Sequence, residues 1–253
     1  MPVRRMHPPH SRGEYVMTET REELKEKLAE MIRILAAGEI LTLMKGHLSY
    51  RLPGTGEILI LGHTHRSGKT LAGTTGADIV TIDLDGNLLD GSIHPPGEKF
   101  IHTCIYRKRE DVGAVIHAHP HASMAFAVAG VQIIPVHHEA IALTPCVEIL
   151  DYAGQIDTEE TGMMVAEALK DRAALLLRGH GNVVVGSDPE EACCNAFELE
   201  LNAKIQFQAS LLGTPKAITR EVIEKAPKPG QKPHRSASPW PYYRERYGRN
   251  GRQ

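Results

Sequence analysis

The chain has 253 residues, 42% of them hydrophobic, and a formal net charge of -2. That length and apolar content allow one sizeable core, or two at most. The balanced charge leaves no basic face to imply nucleic acid as a partner, and no run approaches the ~18 consecutive apolar residues of a membrane span.

Residues 1–18 are polar and contain Pro and His, and they read as a flexible arm in which Met17 is a second candidate start. Arg4, Arg5 and Arg12 have no apolar stretch behind them, so the arm does not make a secretory signal. Cys104, Cys146, Cys193 and Cys194 lack metal-ligand or disulfide spacing. They read as reduced packing residues of a cytoplasmic protein. Thr20-x-x-Glu23 is a capping box, and Leu24, Leu28, Met31, Ile32 and Leu35 then recur at helical spacing until Gly38.

Lys45 to Leu52 reads as a glycine turn opening a strand, with Ile58 to Leu61 as its hairpin partner. The polar loop His63 to Thr70 holds a His-x-His with no strand behind it, which suits solvated histidines. Gly68-Lys69-Thr70 echoes a phosphate loop, but the glycine required five positions earlier is His63. Ile79 to Leu84 reads as an alternating strand, Asp85-Gly86 as a hairpin turn and Asn87 to Leu89 as its return. Behind Pro95-Pro96-Gly97, Glu98 to Arg107 reads as a helix with Glu98 in its first turn, at the positive end of the dipole.

Val112 to Ile116 is a short apolar run that delivers His117-Ala118-His119-Pro120-His121. On a strand, positions i and i+2 share a face, so His117 and His119 present two imidazoles in one direction. Pro120 ends the strand, and Ala122 to Val128 reads as the following helix. Such a pair suits a borderline divalent metal, although His-x-His alone equally suits two hydrogen-bonded histidines. Val131 to Glu139 reads as a strand running into His137 and His138. Thr158 caps a helix from Glu159 to Lys170, and Ala173 to Leu177 is an apolar strand leading to Arg178-Gly179-His180-Gly181. Glycines on both sides of His180 permit a tight turn that pushes its imidazole out of a strand end. Val183 to Val185 continues the sheet, and Asp188-Pro189-Glu190 opens a long helix to about Leu212. The tail holds the only Trp, Trp240, together with Tyr242, Tyr243 and Tyr247, and is expected to dock on something.

Glu98, the pair His117/His119 and the glycine-flanked His180 together resemble the class II aldolase/adducin family from about Thr20 to Leu212. The resemblance implies an α/β fold, a three-layer αβα domain over residues 19–215 around a mixed, largely antiparallel sheet, with 216–253 as a tail. It implies a homotetramer with the active site near a subunit interface. One divalent ion per subunit (zinc, manganese, cobalt or iron) would be held by His117, His119 and His180, with Glu98 as acid/base or as a ligand of the empty site. The family's sugar-phosphate aldolases carry a Gly-Asn-hydrophobic-Ser turn and a Ser-Ser-Glu motif that donate to the substrate phosphate. This chain has Gly46-His47-Leu48-Ser49 and Pro96-Gly97-Glu98 there, and a dianion needs several convergent donors. The position of the family's catalytic tyrosine falls near His138.

That altered set looks more like the family's decarboxylase branch, acting on hydroxylated aromatic carboxylates such as dihydroxyphthalates or hydroxypyridine dicarboxylates. Glu98 or His138 would protonate the ring carbon. His47, Ser49, Arg66 and Lys69 are candidates for holding substrate, and the aromatic tail, Tyr242 included, for closing over it. A class II aldolase acting on a non-phosphorylated hydroxy-keto substrate is the alternative. An adducin-like scaffold has no use for three ligands and a glutamate.

Overall fold

The computed structural model describes residues 19–42, 45–63, 68–225 and 238–248. The N-terminal arm, His65 and Arg66 lie outside the described residues. Helix α1 (Arg21–Ala37) starts where expected, because Thr20 and Glu23 form the reciprocal capping box. It buries Leu24, Leu28, Met31, Ile32 and Leu35 as one stripe.

The remaining elements, in chain order, are β1 (His47–Arg51), β2 (Ile58–Leu61), β3 (Ile79–Ile82), β4 (Leu88–Asp90), α2 (Lys99–Lys108), β5 (Ala114–Ala118) and α3 (His121–Ala129). After these come β6 (Glu148–Leu150), α4 (Glu159–Leu169), β7 (Ala174–Leu177), β8 (Gly181–Gly186), α5 (Pro189–Leu212), α6 (Arg220–Glu224) and α7 (Trp240–Gly248). The strands form one eight-stranded sheet in the order β4-β3-β2-β1-β5-β8-β7-β6. Every neighbouring pair is antiparallel except β6 and β7. The architecture is the mixed, largely antiparallel α/β sheet expected.

Helices cover both faces. Residues 114, 116 and 118 of β5 join the core beneath α1, α3, α5 and α7, while Val115 joins the core beneath α2 and α4. A sheet buried on both sides does not alternate polar with apolar. This is why β3, expected to alternate, is buried throughout, Thr81 included.

Val131 to Glu139 is not a strand. Ile133 makes one isolated bridge to Val147, and His138 opens a short 3-10 stretch running to Leu143. Pro135 has no N–H to give a ladder, and α5 supplies the missing partners from its side chains. The Asn202 amide accepts from Val136 N–H at 2.9 Å and donates to Ile134 C=O at 2.8 Å. One turn along, Gln206 accepts from Ile134 N–H at 2.9 Å and donates to Gln132 C=O at 3.0 Å.

The tail docks on its own chain. Tyr243 stacks on Phe197 of α5 with ring centroids 4.1 Å apart and donates its hydroxyl to Glu198 at 2.8 Å. Arg244 pairs with Glu30 of α1. Trp240 is buried, whereas Tyr242 is exposed and pairs with Tyr243 and Arg246. The packing partner of α7 is therefore the outer face of α1 and α5.

Candidate metal centre and its surroundings

The register of the sheet builds the site. β5 lies between β1 and β8, and the β1–β5 pairing sets His47 directly opposite His117. Gly46 precedes His47 at φ +95°, and a Cβ there would sit 2.7 Å from the His117 carbonyl oxygen, so the close approach requires glycine. The turn from β7 to β8 delivers His180. A Cβ on Gly181 would meet the Ala118 carbonyl oxygen at 2.3 Å and the His119 ring at 2.4 Å. The glycine after His180 thus does more than ease a turn, because it makes room for His119.

The ligand nitrogens of His117, His119 and His180 lie within 4.8 Å of one another. His117 Nε2 is 3.0 Å from His119 Nε2 and 3.4 Å from a Glu98 carboxylate oxygen, and His180 Nε2 is 3.1 Å from the other oxygen. His117 Nδ1 faces the Asn182 carbonyl oxygen at 2.9 Å, and a carbonyl only accepts. The proton therefore sits on Nδ1, and Nε2 turns a lone pair into the cluster, which is how a protein presents a metal-ligating imidazole. Three imidazole nitrogens and a carboxylate brought this close form an electron-rich cluster suited to a small divalent cation. The donor set fits the metal that the sequence implies.

Glu98 is the N-cap residue of α2, yet its side chain bonds no amide of that helix. It turns instead toward the histidines and accepts from Ile156 N–H at 3.3 Å. Burial by itself would raise its pKa, but the neighbouring imidazoles of His117 and His180 outweigh that and hold the carboxyl below the usual range. Burial, with the neighbouring His117 and His180 adding to it, pushes His119 down to about 3, so this imidazole is neutral at ordinary pH.

The other expected site residues divide. His47 joins the cluster, its Nε2 3.9 Å from Glu98. Ser49 is fully buried, and its hydroxyl lies 2.6 Å from His102 Nδ1 and 2.7 Å from the Tyr106 hydroxyl. Lys69 forms an ion pair with Asp78 and a contact with Thr75. His138 is exposed at the start of the 3-10 stretch, outside the cluster within this chain. Tyr242 sits on α7.

Two buried groups behind the site were missed from sequence. His102 lies 2.7 Å from His47 through its Nε2, and Tyr106 stands one turn further along α2. Glu98, His102 and Tyr106 recur every four residues, so one polar stripe of α2 faces the sheet; that spacing was the available signal. Glu200 of α5 was also missed. It accepts from the amides of Ala122 and Ser123 and so anchors the start of α3, immediately after the His-x-His-Pro segment.

The model of the class II aldolase and adducin N-terminal domain matches residues 26–207. The 3,4-dihydroxyphthalate decarboxylase of Arthrobacter keyseri is 30% identical over 203 residues, covering 75% of this chain and 79% of that protein. The 5-deoxy-D-ribulose 1-phosphate aldolase of Bacillus thuringiensis serovar kurstaki is 30% identical over 162 residues, covering 64% and 76%. Among solved structures, an L-fuculose 1-phosphate aldolase superposes with a TM-score of 0.73 at 25% identity, covering 82% of this chain and 95% of that one.

Proposed function

The chain belongs to the class II aldolase and adducin family, and from that premise we propose that it is a metal-dependent carbon–carbon lyase that decarboxylates a hydroxylated aromatic acid. Dihydroxyphthalates and hydroxypyridine dicarboxylates are the substrate types. The observation that carries this reading is the loss of the phosphate grip. His47 replaces the amide donor of the phosphate turn, Pro96-Gly97 replaces two hydroxyls, and the one hydroxyl kept, Ser49, is buried and committed to His102 and Tyr106. A dianionic phosphate would find too few donors to offset its desolvation.

A divalent cation held by His117, His119 and His180 supplies Lewis-acid stabilisation of negative charge on a substrate hydroxyl oxygen. Glu98, kept ionised, takes the hydroxyl proton of the substrate, and the electron pair flows into the ring. The proton returns from Glu98, or from His138 of a neighbouring copy, to the carbon bearing the carboxylate. The C–CO2 bond then breaks, CO2 leaves, and its electron pair restores the aromatic ring. His47, whose Nε2 lies 3.9 Å from Glu98, holds the carboxylate in this reading.

The working assembly we assign is a homotetramer, with the site near a subunit interface. Exposed apolar residues on α5 (Leu201, Phe207, Leu211, Leu212) support a buried face between copies. Among the described residues no helix is long and apolar enough to cross a membrane; we assign a cytoplasmic location. Aldol cleavage of a non-phosphorylated hydroxy-keto acid uses the same cation and Glu98, and the aldolase relative favours it as second reading. Product analysis separates the two: CO2 with one organic product is decarboxylation, and two carbonyl-derived fragments are aldol cleavage.

A further inference from the structure

Helix α3 begins just after a metal ligand, and the residue at its N-cap is Pro120. A proline there ends the strand at His119 but offers the helix no side-chain acceptor. The amides that an N-cap side chain ordinarily serves lie two and three residues on, here at Ala122 and Ser123. Both are taken by one group from another helix. Glu200 of α5 accepts from Ala122 N–H with one carboxylate oxygen at 2.9 Å and from Ser123 N–H with the other at 3.0 Å. The arrangement buries a carboxylate, for Glu200 is only 4% exposed. Its charge is offset by the two amides, by the positive end of α3 and by Lys204 at 3.6 Å.

Two routes run from this junction to the metal ligands. His119 is joined to Pro120 directly, and its carbonyl oxygen accepts from the Thr42 hydroxyl at 2.9 Å. The pyrrolidine ring of Pro120 fixes its φ, so where the start of α3 is held, the backbone of His119 is held with it. On the second route, Ser123 Oγ lies 3.1 Å from the side-chain amide of Asn182. The main-chain carbonyl of Asn182 accepts the His117 Nδ1 proton at 2.9 Å. Glu200, Ser123 and Asn182 are all buried, so water does not readily replace a partner lost from this network.

We infer that Glu200 is a positioning residue of the metal centre: by capping α3 from α5, it sets His119 through Pro120 and His117 through Ser123 and Asn182. Cation affinity then depends on a carboxylate that stands behind the ligands rather than among them. Groups that hold ligating side chains from behind tune metal affinity by roughly ten- to a hundredfold. The inference rests on the reading of His117, His119 and His180 as cation ligands and is independent of which bond the enzyme breaks.

The test uses the full chain, with zinc affinity measured by competition against a chelator and ligand geometry followed in the visible spectrum of the cobalt-loaded protein. Glu200→Gln keeps the shape of the side chain and one acceptor but turns an N–H toward an N–H. It should weaken zinc binding about tenfold and shift the cobalt bands. Ser123→Ala removes the hydroxyl that meets Asn182 while keeping the amide on Glu200, and should weaken zinc about threefold, the scale of one neutral hydrogen bond. Thr20→Ala removes the cap of α1, a helix that carries no ligand. It should leave zinc affinity within about twofold, as expected of a distant site, and the cobalt bands in place. Unchanged affinity and spectrum in a folded Glu200→Gln, or equal losses in Glu200→Gln and Thr20→Ala, would reduce Glu200 to an ordinary helix cap and overturn the inference. Where Glu200→Gln does not fold, Ser123→Ala decides, and unaltered zinc affinity there overturns it. A parent protein that binds neither zinc nor cobalt refutes the metal reading itself, and the inference falls with it.

Discussion

Asn202→Leu tests how the segment bearing His137 and His138 is held without a strand. Asn202 is fully buried and its amide makes two hydrogen bonds to main chain, from Val136 N–H and to Ile134 C=O. Leucine keeps the branched outline and the number of heavy atoms, so the cost is chiefly the two bonds and the two main-chain groups left unpaired. Each such loss is worth about 1 kcal/mol when water can reach the orphaned group and up to ~3 when it cannot. Ile134 and Val136 are half-buried, which places the total at about 2–4 kcal/mol. Gln206 continues to hold Ile134 N–H, so the segment should loosen rather than detach. Urea unfolding followed by far-UV circular dichroism, at matched protein concentration, should show the midpoint falling with an unchanged slope. Exchange of the Val136 amide should accelerate before global unfolding. A loss below ~0.5 kcal/mol with Val136 exchange unaltered would refute the account of α5 side chains standing in for a strand.

Gly181→Ala should push the His119 ring and the Ala118 carbonyl aside, costing about 1–3 kcal/mol as overpacking and weakening zinc affinity in a competition titration. Undiminished affinity would contradict the proposed crowding. Tyr243→Phe removes the hydroxyl that donates to the buried Glu198 carboxylate, and should cost about 1–3 kcal/mol in unfolding experiments. A neutral outcome would mean that α7 is held by stacking alone. The Asp78 carboxyl is held below its ordinary value of 3.8: burial raises it, but hydrogen bonds from Lys69 and Thr75 prevail. Because the folded pKa is the lower one, its stabilisation is complete above the unfolded value and disappears as pH falls through the folded one. The melting-temperature gap between the parent and Asp78→Asn should be constant from pH 5 to 7 and close toward pH 3 and below; a gap independent of pH would contradict the pairing.

The elements that could be read from sequence are those whose causes are local. α1 announces itself through Thr20, Glu23 and a helical stripe, and α5 through Asp188 and Pro189, with Asp188 accepting from Glu191 N–H. His117, His119 and His180 were legible because each sits at a strand end marked by a neighbouring proline or glycine. Glu98 follows Pro96-Gly97 but opens a helix rather than ending a strand, and only the resemblance tied it to them. Val131 to Glu139 was misread because its partners are side chains some 70 residues downstream, which no local pattern records. The burial of Ser49 was not legible for the same kind of reason. A motif position says nothing of burial, and helix α2 turns its hydroxyl inward. The aromatic tail was expected to dock, and it does so on α1 and α5.

The most direct test of the central claim is CO2 release from a panel of dihydroxyphthalates and hydroxypyridine dicarboxylates. Metal-stripped enzyme would be reconstituted separately with zinc, manganese and cobalt. The account predicts release that requires the added ion, disappears in His119→Ala, and yields one organic product per CO2. Tight metal binding without CO2 release from any member of the panel, alongside cleavage of a hydroxy-keto acid into two carbonyl fragments, would contradict it.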